Sequence, residues 1–342
     1  MNDEITFKLV DDDVVWNEAL SDIPSSNLFH TAQWLNFIKK QFSLRLSRYH
    51  IMKAGRTVGI LPLFAKGRFL MRIAGSPLIL ENNLYMGLAL ADDSDIRETL
   101  PVIDKFLKRR GFSFMRFSFD HFNFAEEFKA NNYEIRERKT CCVDLRRGME
   151  VVWKNMESNC RNMVRKAEKN DCRITEAFDL SFIEPYYRMI EEVYARQDLP
   201  PLLSKRYYEN IFNALHPHGF LKVFMAYSKD GQPLAGAIVL MFKKKAYYLD
   251  GASFREFNKI APSNLLQWHI MCRLIENGYE VYDMVCSDIP RWAAYKMSFG
   301  AVNEQILYAE RSYSAIAKIA KLAYAKGKHL NKRVRFRINK KA

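Results

Sequence analysis

The 342-residue chain is long enough for two domains. Its 49% hydrophobic and 27% charged content is that of a core-forming protein and excludes a disordered or fibrous one. The net charge of +14 is uneven: residues 318–342 hold ten Lys or Arg and no acid, so the rest of the chain carries only +4. A basic block of this kind suits an anionic partner, membrane or nucleic acid. The apolar run Gly236–Phe242 is far short of the roughly 18–20 residues of a membrane-spanning helix. The N-terminal MNDEITFKLVDDD lacks an apolar segment of the secretory kind, so a cytoplasmic protein is expected. Six cysteines at 141, 142, 160, 172, 272 and 286 form no CxxC pattern, which fits a reducing compartment. His216 and His218 in HPHG read as a turn, and no metal site is expected.

In chain order, ITFKLV (5–10) reads as a strand. SSNLFHTAQWLNFIKKQF places Phe29, Trp34, Phe37, Ile38 and Phe42 at helical spacing. Two strand patterns flank Ala54-Gly55. A helix is predicted over 94–110, ended by Gly111, then a strand over 112–119, a short helix near 123–130 and a strand ending at CCVDL (141–145). A basic helical region over 149–170 follows, then helices over 180–197 and 204–214. Two apolar strands flank Lys229-Asp230-Gly231-Gln232, a hairpin signal, and KAYYLDGAS (245–253) reads as a third strand. A helix opens at Pro262 and stops before Gly278. EVYDMV is a strand, IPRWAAYKMSFG a short helix closed by Gly300, and EQILYAE a last strand. Each half therefore reads as a hairpin-rich sheet followed by helix–strand–helix–strand. This is an α/β arrangement with mixed sheets and a duplicated domain: 1–145, 146–312, and a basic helical or disordered tail over 313–342.

Four stretches of the second half resemble the FemABX-like branch of the GNAT acyltransferase superfamily, which includes peptidoglycan bridge aminoacyltransferases and CelD-like proteins. They are DLRRGMEVVWKNMESNCRNMVRKAEKND, QPLAGAIVLMFKKKAYYLDGAS, IAPSNLLQWHIMCRLIENGYEVYDM and RWAAYKMSFG. LFHTAQWLNFI and VGILPLF resemble the family's opening, so the likeness spans most of residues 25–310. The resemblance implies two tandem GNAT-like domains and transfer of an acyl or aminoacyl group onto an amine. It also implies an aminoacyl-tRNA or acyl-CoA donor, with no tightly bound cofactor. One departure stands out. The glycine-rich pyrophosphate loop of ordinary acetyltransferases is replaced by GASFREFNKIAP, which argues against acetyl-CoA in its usual pose.

The resemblance also points to residues. On a helical wheel Trp153, Met156, Met163, Val164 and Ala167 gather near Cys160 as a core stripe, with Lys154, Arg161, Arg165 and Lys169 opposite. Arg161 and Arg165 then face either solvent or a phosphate, for which guanidinium forks are suited. Lys296, beside Tyr295 and Phe299, stands where the family has its lysine. There it would stabilise an oxyanion or hold donor phosphate, unless it is a surface charge. Asp283 would act as a base, orient Lys296, or serve structure alone. Tyr248 and Trp268 belong to the core or to a pocket wall. Lys259 lies near backbone N–H groups at the start of the helix at Pro262, a phosphate site. Glu81 falls where family members contact the acceptor. No Cys-His or Ser-His pair supports a covalent acyl-enzyme, so direct attack by the amine is expected.

These features predict an aminoacyl- or acyltransferase acting on a lipid- or nucleotide-linked cell-envelope precursor of the peptidoglycan type. Its C-terminal tail would meet the anionic inner face of the membrane peripherally. Two alternatives stay open. One is acyl-CoA-dependent N-acylation in polysaccharide or nucleotide-sugar synthesis. The other is a non-catalytic module that binds RNA or membrane.

Overall fold

The structure, a computed structural model, describes residues 4–68, 71–78, 85–121, 123–196, 198–285 and 289–323. In chain order the elements are β1 (Thr6–Leu9), α1 (Asp13–Ser21), α2 (Ala32–Gln41), β2 (Arg45–Lys53), β3 (Arg56–Arg68), β4 (Met71–Ser76), β5 (Ala89–Leu90), α3 (Ile96–Arg109), β6 (Phe114–Phe119), α4 (Ala125–Ala130) and β7 (Glu134–Asp144). Then come α5 (Gly148–Asn155), α6 (Ser158–Lys169), β8 (Arg173–Ala177), α7 (Ile183–Ala195), α8 (Lys205–Leu215), β9 (Leu221–Tyr227), β10 (Pro233–Phe242), β11 (Lys245–Ser253), α9 (Pro262–Glu276), β12 (Val281–Asp283), α10 (Pro290–Met297) and β13 (Val302–Ser312). A further helix, α11, covers 315–323. The fold is mixed α/β. Among the described residues no helix is long and apolar enough to cross a membrane, and no cluster of three metal-ligating side chains occurs.

Two compact units emerge, and the chain passes between them more than once. The first comprises 1–26, 44–137 and 307–342; the second comprises 27–43 and 138–306. A single cut between 145 and 146 therefore does not describe them. The reason is packing. The segment 27–43, early in the chain, packs on other elements of the second unit: Phe29, in the turn before α2, and Phe37 of α2 stand edge-on to Tyr247 and Tyr207 at 5.1 and 5.4 Å. The last strand returns its second half to the first unit, where Leu307–Ser312 pairs antiparallel with Phe114–Phe119.

In the first unit β1, β2, β3 and β4 pair antiparallel in that order, and β4 runs parallel to β6. The β2–β3 turn needs left-handed backbone at both corners. Ala54 (φ 48°) and Gly55 (φ 77°) supply it, which matches the twist of the strands. α3 and α4 cover a core that includes Leu100, Ile103, Phe117 and Phe128. α11 lies on this unit through Ala317, which is buried, and Lys321, whose Nζ is 2.7 Å from Glu134 and 2.8 Å from Glu310.

In the second unit the strand order is β7, β12, β11, β10, β9, β8. Only β11 and β12 run parallel. The alternation of β10 sorts its two faces. Ala235, Ala237, Val239 and Met241 meet Leu266, Ile270 and Val164 from α9 and α6. Gly236 instead faces Tyr186 of α7, so closely that a Cβ there would sit 2.7 Å from the ring. The predicted helix over 149–170 is two helices. Met156 and Glu157 are extended (ψ 146° and 145°), and Glu157 N–H donates to Ser298 O at 2.8 Å. The core stripe survives the break, because Cys160, Val164 and Ala167 share one face of α6 and are buried.

Candidate active site

A cavity of about 340 Å³ opens in the second unit between β10, the end of β11, the turn 255–260, the first turn of α9, and Tyr295 of α10. The local sequence builds this opening. Ala261 takes a left-handed conformation (φ 58°) and Pro262 starts the helix, so the chain turns sharply into α9. No side chain caps that N-terminus. Its positive end, with Ser263 and Asn264, therefore lines the cavity and suits an anion.

Two of the residues singled out by sequence meet here. Tyr248 and Tyr295 both line the cavity. Tyr295 Oη donates to Ser263 O at 3.2 Å and ties α10 to the start of α9. Burial raises both phenols above their ordinary range, so both stay protonated. Tyr248 Oη lies across Gly251, where a Cβ would stand only 2.0 Å away. A glycine is required there for that approach. Gly251→Ala is therefore expected to displace the Tyr248 ring and weaken ligand binding at the cavity, with little change in Tm; calorimetry with a bound ligand and a melting curve check it together.

Asp250 was not anticipated. It sits between Tyr248 and Gly251, next to the place where β11 slips register: Ile238 pairs Asp250 but Val239 pairs Tyr248, so Leu249 is an extra residue. Such bulges re-aim side chains beside them. The Asp250 carboxylate accepts from Tyr208 Oη at 2.6 Å and Gly251 N at 2.9 Å. Burial raises its pKa, against the lowering effect of those hydrogen bonds. Asp250 does not itself line the cavity, but Tyr248 and Gly251 beside it do, and a buried carboxyl with a raised pKa in such a place is a candidate acid–base group. The available signal was the acid in KAYYLDGAS, an aspartate at position 250 of a strand otherwise apolar through its centre.

Lys296 is buried, 6% exposed, so it is not a surface charge. Its Nζ donates to Val285 O at 2.5 Å. Asp283 is fully buried and accepts from Thr140 Oγ1 (2.5 Å) and Val285 N (2.8 Å), with Lys245 Nζ at 3.4 Å. Val285 thus links the two. It is β-branched yet has φ 50°, a conformation costing roughly 1–3 kcal/mol that persists only where the surroundings enforce it. Neither Asp283 nor Lys296 lines the cavity, although Lys296 follows the lining Tyr295, and the contacts of Asp283 suit holding the Val285 backbone rather than taking a substrate proton.

The basic row divides. Arg161 is half-buried, and its Nη1 donates to the carbonyls of Lys154 (3.1 Å) and Met156 at the end of α5. Arg165 is exposed; its guanidinium lies 5.3 Å over the Trp153 ring and donates to Asn162 at 3.2 Å. Trp153 in turn packs on Trp268 at 4.8 Å. Neither arginine lines the cavity. Arg161→Ala is expected to lower stability by about 1 kcal/mol by leaving helix-end carbonyls without a donor, whereas Arg165→Ala leaves Tm unchanged; paired thermal melts check this. Lys259 is exposed on the turn beside the cavity's Asn258. Glu81 lies outside the described residues.

Residues 154–297 match the model of the acetyltransferase (GNAT) domain family. No curated protein sequence matches the chain. Among solved structures, that of FemX is similar at TM-score 0.72 and 15% identity, over 89% of this chain and 96% of that one. The C-terminal domain of a putative lysylphosphatidylglycerol synthetase from Agrobacterium fabrum is similar at TM-score 0.56 and 13% identity, over 91% and 96%. A tandem GNAT protein from the clavulanic acid biosynthesis pathway is similar at TM-score 0.56 and 10% identity, over 91% and 99%. Residues 154–297 therefore carry the match to a GNAT acetyltransferase domain, and the chain as a whole shares its fold with FemX and with a tandem GNAT protein.

Proposed function

We propose that the protein transfers an aminoacyl or acyl group from a phosphate-bearing donor onto an amine of a cell-envelope precursor. The observation that carries this is the cavity at the uncapped start of α9, walled by Tyr248 and Tyr295. One structural neighbour is by name a synthetase of lysylphosphatidylglycerol, an aminoacylated lipid, which supports an aminoacyl donor and an envelope acceptor. In the mechanism that fits, donor phosphate meets the N-terminus of α9, with Lys259 nearby. The acceptor amine attacks the carbonyl carbon of the donor ester or thioester. The C–N bond forms, the bond to the leaving oxygen or sulfur breaks, and the amine's proton passes to the Asp250 carboxylate. Lys296, held by Val285 and hence by Asp283, supplies a fixed positive charge for the developing oxyanion.

The turn REFNKI beside the cavity, a 3-10 segment over Arg255–Ile260, contains no glycine and so offers no glycine loop for the pyrophosphate of acetyl-CoA. Calorimetry is therefore expected to show weak binding of acetyl-CoA and tighter, salt-dependent binding of an aminoacyl-tRNA mimic. Tight acetyl-CoA binding with transfer to an amino sugar would overturn the aminoacyl reading in favour of N-acylation in polysaccharide synthesis. Absence of any transfer with either donor, from protein that binds RNA, would favour the non-catalytic alternative.

A further inference from the structure

α11 is amphipathic in an unusual sense. The side that touches the first unit is narrow: Ala317 is buried and Lys321 reaches inward to Glu134 and Glu310. Its larger apolar side chains point away. Ile316 is 59% exposed, Ile319 67% and Leu322 63%, three residues at i, i+3 and i+6 that form one outward stripe. Burying these three against the unit it rests on would be the ordinary outcome for an amphipathic helix, so their exposure marks an interaction surface. The chemistry around the stripe limits the partner. Lys318 is exposed beside it. The sequence that follows, YAKGKHLNKRVRFRINKKA, adds eight Lys or Arg and no acid. An apolar stripe in an acid-free, strongly cationic setting is complementary to a surface that is anionic at its face and apolar beneath. A nucleic acid offers the charge but no apolar layer for isoleucine and leucine to enter.

We propose that α11 docks the protein on an anionic lipid bilayer, with Ile316, Ile319 and Leu322 entering the interface and the exposed Lys318 meeting the headgroups. Lys321 contributes by fixing the helix on the first unit through its ion pairs, so that the stripe is presented outward. The mode is peripheral, because three side chains reach the interface without spanning it. Salt weakens the electrostatic share and leaves the apolar share, so binding falls with ionic strength and does not vanish. This inference stands apart from the acyl-transfer chemistry, and transfer to a water-soluble acceptor is a separate readout.

The test uses the full chain with vesicles of phosphatidylcholine alone or mixed with phosphatidylglycerol. The wild-type protein is expected to sediment with the anionic vesicles and to stay in solution with the neutral ones. The triple substitution Ile316→Ser, Ile319→Ser, Leu322→Ser is expected to weaken anionic-vesicle binding by at least about tenfold. Its Tm and its transfer to a soluble acceptor should be unchanged. A second variant, Ile319→Trp, is expected to show a blue shift of its added emission when anionic vesicles are supplied. Equal vesicle binding by the triple variant and the wild type overturns the proposal. So does an unshifted emission from the introduced indole in vesicle-bound Ile319→Trp protein, or a wild-type chain that binds tRNA but ignores anionic vesicles.

Discussion

Replacing Lys296 with methionine is expected to lower turnover by about 100-fold or more, the scale of losing one oxyanion contact, while the protein remains folded. Methionine keeps most of the side-chain volume, so the buried site is not emptied. What it removes is the charge and the hydrogen bond to Val285 O. One carbonyl left without a donor costs about 1–3 kcal/mol, which a chain of this size survives. The measurement is steady-state kinetics beside a thermal melt. A fall in kcat with KM unchanged supports an interaction made in the transition state, whereas an equal rise in KM alone would place Lys296 in ground-state donor binding. A stable, fully active Lys296→Met protein would remove Lys296 from the mechanism.

Asp250→Asn is expected to cost about 100- to 10,000-fold in turnover, the range for losing a positioned acid–base group. The substitution keeps the shape and leaves an oxygen to accept from Tyr208 Oη. The pH profile separates chemistry from structure. In the wild type, activity falls on the acid side as pH drops through the raised Asp250 pKa, because the protonated carboxyl cannot accept the amine's proton. The residual activity of the asparagine variant lacks that acid limb. Stability moves the opposite way. The carboxyl's folded pKa is raised, so its stabilising contribution is complete below the ordinary carboxylate range and is lost as pH rises through the raised pKa. Asparagine carries no charge to bury, so Asp250→Asn raises Tm at neutral pH and gives no gain at acid pH. A variant with unaltered pH dependence would show Asp250 to be a structural group of the tyrosine cluster.

The pattern of elements was largely legible in the sequence because its signals are local. Gly111, Gly231, Gly278 and Gly300 all adopt left-handed backbone at the element ends or turns where they were expected. KAYYLDGAS is a strand over its full predicted extent, and Pro262 begins α9. Tyr295 and Tyr248, drawn from different motifs, meet at one cavity. Other elements gave weak local signals. β4 and β8 are short strands without clear alternation, and they exist because β6 and β9 offer partners. The break at Met156–Glu157 is also non-local: Ser298, far along the chain, accepts from Glu157 N–H, and Arg161 reaches back to cap the preceding helix.

By itself, the sequence determined the α/β class and the concentration of charge toward the C-terminus, because composition, turn residues and spacing act within one element. Only the tertiary structure decided which unit each segment joins, since 27–43 is claimed by aromatic contacts of Phe29 and Phe37 with Tyr247 and Tyr207, far along the chain. It also decided the ionic setting of the site. Lys296 and Asp283 are buried and share Val285, and Asp250 has its carboxyl raised by the packing of helices on the sheet. Burial sets the energy of a charge, and burial is a property of what surrounds a residue in space, which its neighbours in sequence do not specify.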